Sequence, residues 1–288
     1  MKRPLSLNEI QNYLFDILKY IRDVCDQNGL RYYLAYGTLI GAVRHQGFVP
    51  WDDDADIHMP REDYEKFVRI VTDHPHPYYR LVSRETSRRY NRLWPRVFDY
   101  RTKINQRSAW IQGVPFGLFV DIFILDGAGS TKEEAEETYR NAYNIYKTYR
   151  KSVIKLFTPG KSWFSSGKKW LRNTPERLLG FGYWADQHIR FCKQKAFDEY
   201  SYVGALGAGT RDASRNVWKR DCFGEGTAVI FNGETFRAPA DWDSVLRPEY
   251  GDYMIPPPQE EQLPKHKYTA YMMEKAIKET SRNHGQSS

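Results

Sequence analysis

Tyr36 to Met59 reads YGTLIGAVRHQGFVPWDDDADIHM: a glycine-containing turn, a short apolar segment, and a carboxylate run that enters a second apolar segment. Asp52, Asp54 and Asp56 alternate with Asp53 and Ala55. In an extended chain these three carboxylates share one face at intervals of about 7 Å. Carboxylates that close raise one another's proton affinity unless a cation lies between them. Mg²⁺, a hard ion with oxygen ligands at about 2.0–2.1 Å, is the expected partner, with Mn²⁺ as its substitute. A solvated acidic turn is the plain alternative. Against it, the run continues into Ile57, His58 and Met59 with the alternation of a strand. A calcium-binding loop fails at its sixth position, where Ile57 stands in place of glycine, and at its twelfth, where Asp63 replaces the bidentate Glu.

Working outward, Leu30 to Tyr36 reads as a β-strand, broken by Gly37-Thr38 ahead of Leu39, Ile40, Ala42 and Val43 at helical spacing. A strand, a tight turn and a helix N-terminus leave backbone N–H groups free to meet a phosphate, and Gly37 lets the backbone approach closely. Gly37 and Thr38 are therefore candidate phosphate contacts. Joined to the carboxylates that follow, the turn describes a site for a metal-bound phosphate ester.

Three further segments complete a pattern: FGLFVDIFILDG (Phe116 to Gly127), FNGETFRAPADWDSVL (Phe231 to Leu246) and YGDYMIPPP (Tyr250 to Pro258). Together with the acidic stretch they resemble the LicD family of the nucleotidyltransferase superfamily, to which the fukutin-related transferases are also similar. The resemblance implies an α+β fold, a nucleotidyltransferase-like mixed sheet flanked by helices. It also implies transfer of a phospho-alcohol, phosphocholine or ribitol phosphate, from a CDP-linked donor to a glycan hydroxyl with release of CMP. On the same ground a two-metal phosphoryl transfer is expected, in which Asp54 and Asp56 hold Mg²⁺, with Asp52 as a third ligand or a supporting group. Asp121, a charge inside the apolar run Leu118 to Leu125, is expected to complete the site from a neighbouring strand and to serve as first candidate for general base. His45 is the second candidate. The Tyr250-Gly251-Asp252 turn is expected to fold back over the catalytic half.

Composition sets the bounds. With 288 residues, 41% of them apolar and 27% charged, the chain can bury a substantial core. No stretch approaches the roughly 20 apolar residues that span a bilayer, and no signal peptide is visible, so a cytoplasmic location is expected. Cys25, Cys192 and Cys222 have no close pairing and read as reduced packing residues, without a Cys-rich zinc site. The net charge of +7 suits phosphorylated partners, and no nucleic-acid-reading motif accompanies it.

In chain order, the capping-box pair Ser6 and Glu9 opens an amphipathic helix that stops at Asn28-Gly29. Pro60 leads a helix bearing Tyr64, Phe67, Val68 and Val71, closed by His74 to Pro77. Strands are expected near Tyr79 to Ser83, Leu93 to Tyr100 and Thr102 to Asn105, amid crowded arginines of which Arg96 is the candidate for neutralising a pyrophosphate. Ser130 starts a long helix, and Thr174-Pro175 caps a second that runs to about Tyr200. A hairpin turns at Asn232-Gly233, Asp241 caps a helix ending at Gly251, and a last helix is expected from Tyr268 to Lys278. These divide into a catalytic core (1–128), a helical insertion (129–205) and a C-terminal part that packs back on the core (206–288).

Two partner surfaces follow. Lys147 to Arg172 interleaves basic residues with Trp163, Phe164 and Trp170, a composition suited to peripheral contact with an anionic membrane. Tyr33, Tyr36, Trp51, Trp94, Trp110 and Phe116 could cage a quaternary ammonium, which favours CDP-choline over CDP-ribitol, while Trp51 could equally stack on cytosine. The rival functions are an NTP-dependent nucleotidyl transfer that releases pyrophosphate, and a non-catalytic glycan- or nucleotide-binding module.

Overall fold

A computed structural model of the chain describes residues 3–106, 114, 117–153, 176–264, 266 and 268–273. Arg107, Trp110, Phe116, Lys161, Trp163, Phe164, Trp170, the Thr174-Pro175 cap and the tail Ser281 to Ser288 lie outside these residues.

Helix α1 (Leu7–Gln27) begins at the expected capping box: Ser6 accepts from the Glu9 N–H and Glu9 accepts in return from the Ser6 N–H. Its stripe of Ile10, Leu14, Ile17, Leu18 and Ile21 enters the main core. That core is built on a mixed sheet, the α+β arrangement anticipated. Strands β1 (Tyr33–Leu34), β2 (Asp56–Pro60), β3 (Tyr79–Val82), β4 (Arg96–Asp99) and β6 (Phe119–Gly129) lie in the order β1-β2-β6-β4-β3. β2 and β6 are parallel, and the other pairs in that order are antiparallel. At the far end of β6, β7 (Tyr202–Gly204) and then β8 (Val217–Lys219) extend the sheet.

Alternation on β2 and β6 sorts their side chains onto two faces. Ile57, Met59, Val120 and Ile122 join the same core as α1. Asp56, His58, Asp121 and Phe123 occupy the opposite face, and strand pairing sets Asp56 beside Asp121 and His58 beside Phe123.

Between β1 and β2 the chain forms a short helix α2 (Tyr36–Ile40) that runs into a π-helical turn, Gly41–His45. Only Tyr33 and Leu34 of the expected Leu30 to Tyr36 strand join the ladder, because Tyr36 already opens the helix at φ 46°. Beyond β2, α3 (Arg61–Asp73) carries buried Tyr64 and Phe67, and Pro60 stands as its N-cap. The long helix α4 (Lys132–Val153) packs against α5 (Gly180–Cys192), which ends short of the expected Tyr200 in a 3₁₀ turn at Phe197–Glu199.

The hairpin of β9 (Thr227–Phe231) and β10 (Glu234–Ala238) turns at Asn232 and Gly233, with φ values of 50° and 81°. Both central residues lie in the left-handed region, as the tight hairpin turn requires. Its tip docks on the segment leading to the acidic turn: the Asn232 N–H donates to the Gln46 carbonyl at 2.7 Å. Helix α6 (Trp242–Tyr250) is capped by Asp241 as expected. Phe231, Phe236, Leu246, Tyr253 and Ala270 share the main core with α1, so the C-terminal residues pack with the N-terminal ones.

One expectation fails outright. Tyr268 to Met272 is not helical but forms β11, antiparallel to β5 (Thr102–Gln106). β5 supplies a strand edge with an unpaired row of peptide groups, and the tyrosine- and threonine-bearing segment YTAYM suits it better than a helix.

Candidate active site

The site is assembled around a row of three residues on adjacent strands. Asp56 on β2 is in register with Asp121 on β6, which is in register with Arg96 on β4. Arg96 and Asp121 are both buried, and the guanidinium meets the carboxylate through two bonds, Nη2 to Oδ2 at 3.0 Å and Nε to Oδ1. The same guanidinium lies 3.7 Å from the centroid of Phe119. The guanidinium expected near a pyrophosphate orients Asp121 in this structure.

The carboxylates outnumber that cation. Burial, and then the neighbouring Asp54, Asp121 and Asp52, push the Asp56 carboxyl well above its ordinary value, with Arg96 opposing. Burial likewise raises Asp121, with Arg96 opposing and Asp54 adding to the rise. The four carboxylates named from the sequence are thus brought into one electrostatic cluster. The strand is shorter than expected, however. It starts at Asp56, and Asp52 to Asp54 lie in the turn before it, where the Asp52 N–H donates to the Val49 carbonyl at 2.9 Å.

The glycine turn serves this cluster in ways the sequence did not suggest. A Cβ on Gly37 would stand 2.5 Å from Asp52 Oδ2, so the absent side chain is what admits the Asp52 carboxylate. Thr38 is buried, and its hydroxyl accepts from the Asp56 N–H at 2.9 Å. Gly37 thus leaves room for the Asp52 carboxylate, and Thr38 holds the backbone of Asp56. Gln11 on α1 adds a further tie, its side-chain amide donating to the Asp52 carbonyl at 2.9 Å.

His45 is exposed at the rim. Its Nε2 accepts from Arg44 Nε at 2.9 Å, its ring stands edge-on to half-buried Trp51 at 6.4 Å, and partial burial and Arg44 lower its basicity. A nitrogen occupied by a guanidinium is poorly placed to take a proton, which weakens the case for His45 as general base. Below the row, His58 is kept neutral by burial, which lowers it to about 3, among the rings of Tyr36, Trp218 and Phe223. Of the proposed aromatic cage, Tyr33 is buried with its hydroxyl on the Gly224 carbonyl, Tyr36 donates to Asn216 Oδ1 at 2.7 Å, and Trp94 stacks on Phe123 at 5.7 Å. Tyr33 is buried in the main core, and Tyr36 is half-buried.

Two tyrosines absent from the expected site close it from the C-terminal side. Tyr250 and Tyr268 are each held in the neutral form first by burial. Tyr250 is next affected by Glu249, Asp56, Asp52 and Asp54, and Tyr268 by Asp53, Asp54 and Asp52. The Tyr250 turn does fold over the catalytic half. Asp53 meets the C-terminal segment: its Oδ1 lies 3.1 Å from His266 Nδ1, which is also 3.6 Å from Asp54 Oδ2, and its carbonyl accepts from the Tyr268 hydroxyl. Nothing in the sequence around His266 marked that residue.

Crowded carboxylates are the donor type that a hard divalent cation takes, and among the described residues the ligand atoms within 4.8 Å of one another are those of Asp53, Asp54 and His266. Each carboxylate oxygen carries two lone pairs, so Asp121 can serve Arg96 and an ion together.

Residues 29–156 match the family model described as LicD/FKTN/FKRP, nucleotidyltransferase domain. Over 276 residues the chain is 28% identical to the lipopolysaccharide cholinephosphotransferase LicD of Haemophilus influenzae, covering 94% of this chain and all of that protein. A shorter match, 40% identical over 50 residues, links 17% of the chain to 10% of the human ribitol 5-phosphate transferase FKRP. An uncharacterised Rickettsia typhi protein, RT0683, is 38% identical over 68 residues, or 24% of this chain and 22% of that one. The chain thus resembles the LicD family, through residues 29–156 for the nucleotidyltransferase-domain model and through nearly its whole length for the Haemophilus relative.

Proposed function

We propose that this protein is a Mg²⁺-dependent transferase that moves phosphocholine from CDP-choline to a hydroxyl of a glycan or lipid-linked glycan, releasing CMP. The observation that carries the reading is the row Asp56, Asp121 and Arg96 across three strands, with Asp54 beside it. The full-length match to a cholinephosphotransferase acting on lipopolysaccharide supports the choice of phospho-alcohol and acceptor.

Asp54, Asp56 and Asp121 would hold the ion, with Asp52 supporting. When bound, the ion supplies charge neutralisation at the donor pyrophosphate and polarises the attacking hydroxyl. The chain's own residues do the rest. Arg96 fixes the rotamer of Asp121, Thr38 fixes the backbone of Asp56, and Tyr250 and Tyr268 limit water at the carboxylates. Asp121 would receive the acceptor's proton. A cytoplasmic setting suits a nucleotide-activated donor, and among the described residues no helix is long and apolar enough to cross a membrane. Peripheral membrane contact through Lys147 to Arg172 stays part of the proposal, tested by co-sedimentation with anionic vesicles before and after charge reversal of Lys161, Lys168 and Lys169.

The match to a ribitol 5-phosphate transferase favours a second reading, ribitol phosphate as the transferred group. Incubation with CDP-choline, CDP-ribitol and CDP-glycerol, with Mg²⁺ and a glycan acceptor, decides between them. CMP release from CDP-choline above the other donors is expected. Turnover of CDP-ribitol with CDP-choline inert would transfer the assignment to ribitol. Pyrophosphate released from an NTP would replace it with nucleotidyl transfer, and no product from any donor would favour a binding module.

A further inference from the structure

We propose that Gln11 and Tyr268 are positioning residues: from opposite ends of the chain they hold the backbone of the acidic turn, and so set where its carboxylates stand. The inference rests on the transferase reading and deepens it.

Strand pairing fixes Asp56, whose register partner is Asp121. Asp52, Asp53 and Asp54 precede β2 and belong to no strand. Turn residues are more mobile than laddered ones unless other groups bind their peptides. Here two side chains do so. Gln11 Nε2 on α1 donates to the Asp52 carbonyl at 2.9 Å and to the Val49 carbonyl at 3.3 Å, spanning the turn that the Asp52 N–H closes onto Val49. The Tyr268 hydroxyl on β11 donates to the Asp53 carbonyl. Two successive carbonyls are thus held by residues 41 and 215 positions away in the chain. Thr38 anchors the other end at the Asp56 N–H, so Asp54 hangs between fixed points.

The two donors are linked to each other. The Leu5 N–H, just ahead of α1, donates to the Ala270 carbonyl of β11 at 2.9 Å, and Pro4 bridges to Tyr271. β11 is paired in turn with β5. The start of α1 and β11 therefore form one joined unit, bonded to the acidic turn at consecutive peptides. Both side chains are half-buried, where a hydrogen bond holds its partner more firmly than in open water. Both bonds end on main-chain carbonyls, so each residue acts through the carboxylates and not on a reacting atom. A displacement of about 1 Å at reacting groups can cost on the order of a hundredfold in rate, so a small slip of this turn is enough to matter.

The test is a double-mutant cycle on the full chain with Gln11→Leu and Tyr268→Phe. It is read as kcat and KM for CMP release from CDP-choline, and separately as amide hydrogen exchange across residues 49–56 without substrate. Each variant should speed that exchange and lower kcat by about 10- to 100-fold, with KM moved by less than about threefold. Because both hold one turn, the loss in the double variant should fall short of the product of the single losses. Tyr271→Phe, on the opposite face of β11, should change neither reading. Unchanged exchange or unchanged kcat in both single variants overturns the proposal, and so do losses that multiply fully or that Tyr271→Phe reproduces. Should Gln11→Leu fail to fold, Tyr268→Phe set against Tyr271→Phe decides alone. Faster exchange in the variants of a chain that releases no CMP upholds the clamp and refutes only the activity, whereas unchanged exchange in an active chain refutes only the clamp.

Discussion

Asp121 and Asp126 are buried carboxylates on the same strand, each facing one arginine, and they illustrate opposite uses of a buried charge. Asp126 forms a closed pair with Arg61, whose Nε and Nη2 meet its two oxygens at 2.8 and 2.7 Å. Burial raises Asp126 and Arg61 opposes it, with weaker influence from Glu62 and Lys193, so the local charge nearly balances. Asp121 has an equally direct arginine but shares it with Asp56, and Asp54 adds to the crowding. The arginine is the same in kind at both ends of β6. What marks a site is negative charge in excess of the resident cations, rather than burial or pairing alone.

The comparison predicts different losses at the two ends. At the crowded end, Asp54→Asn and Asp56→Asn should each lower CMP release by on the order of a thousandfold or more, while circular dichroism and the melting transition stay close to wild type. Turnover retained by both variants in Mg²⁺ would end the assignment of this cluster. At the balanced end, Asp126→Asn leaves the Arg61 charge buried without its partner. It should cost about 3–5 kcal/mol of stability in denaturant titration, with turnover per folded molecule little changed.

A smaller effect sharpens the contrast from its neighbour. His188, buried beside the Arg61 pair, is lowered to about 4, first by burial and then by Arg61. Its folded value lies below the unfolded value of about 6.5, so the unfolded chain takes up the proton first as pH falls. Its full contribution to stability is present above about pH 6.5 and declines between there and pH 4, by about 3 kcal/mol. Unfolding titrations across that window should show the decline, and His188→Gln should make it shallower, leaving the part that buried His58 contributes. An unchanged slope in the variant would place the titration elsewhere.

The outcome of reading the chain as a sequence divides along physical lines. Local chemistry was legible: the Ser6 and Glu9 cap, the Asn232-Gly233 turn and the apolar alternation that frames Asp121 each depend on residues close in sequence. The family likeness drew Asp52, Asp54, Asp56 and Asp121 together, and the strand register then put Asp56 beside Asp121. Roles that depend on a distant partner were not legible. Gly37 admits the Asp52 carboxylate, Thr38 holds the Asp56 N–H, and Arg96 is committed to Asp121, each through a contact that no spacing encodes. β11 was misread because its partner strand lies more than 160 residues earlier in the chain, and tertiary pairing overrides the local helical pattern.

Binding of Mg²⁺ by calorimetry, compared between Asp121→Asn and Asp126→Asn, tests the central claim most directly. Asp121→Asn should lose or severely weaken an ion that the wild-type chain binds, while folded Asp126→Asn should bind it with unchanged affinity. Equal binding by wild type and Asp121→Asn, or loss of the ion on replacing Asp126 alone, would contradict it.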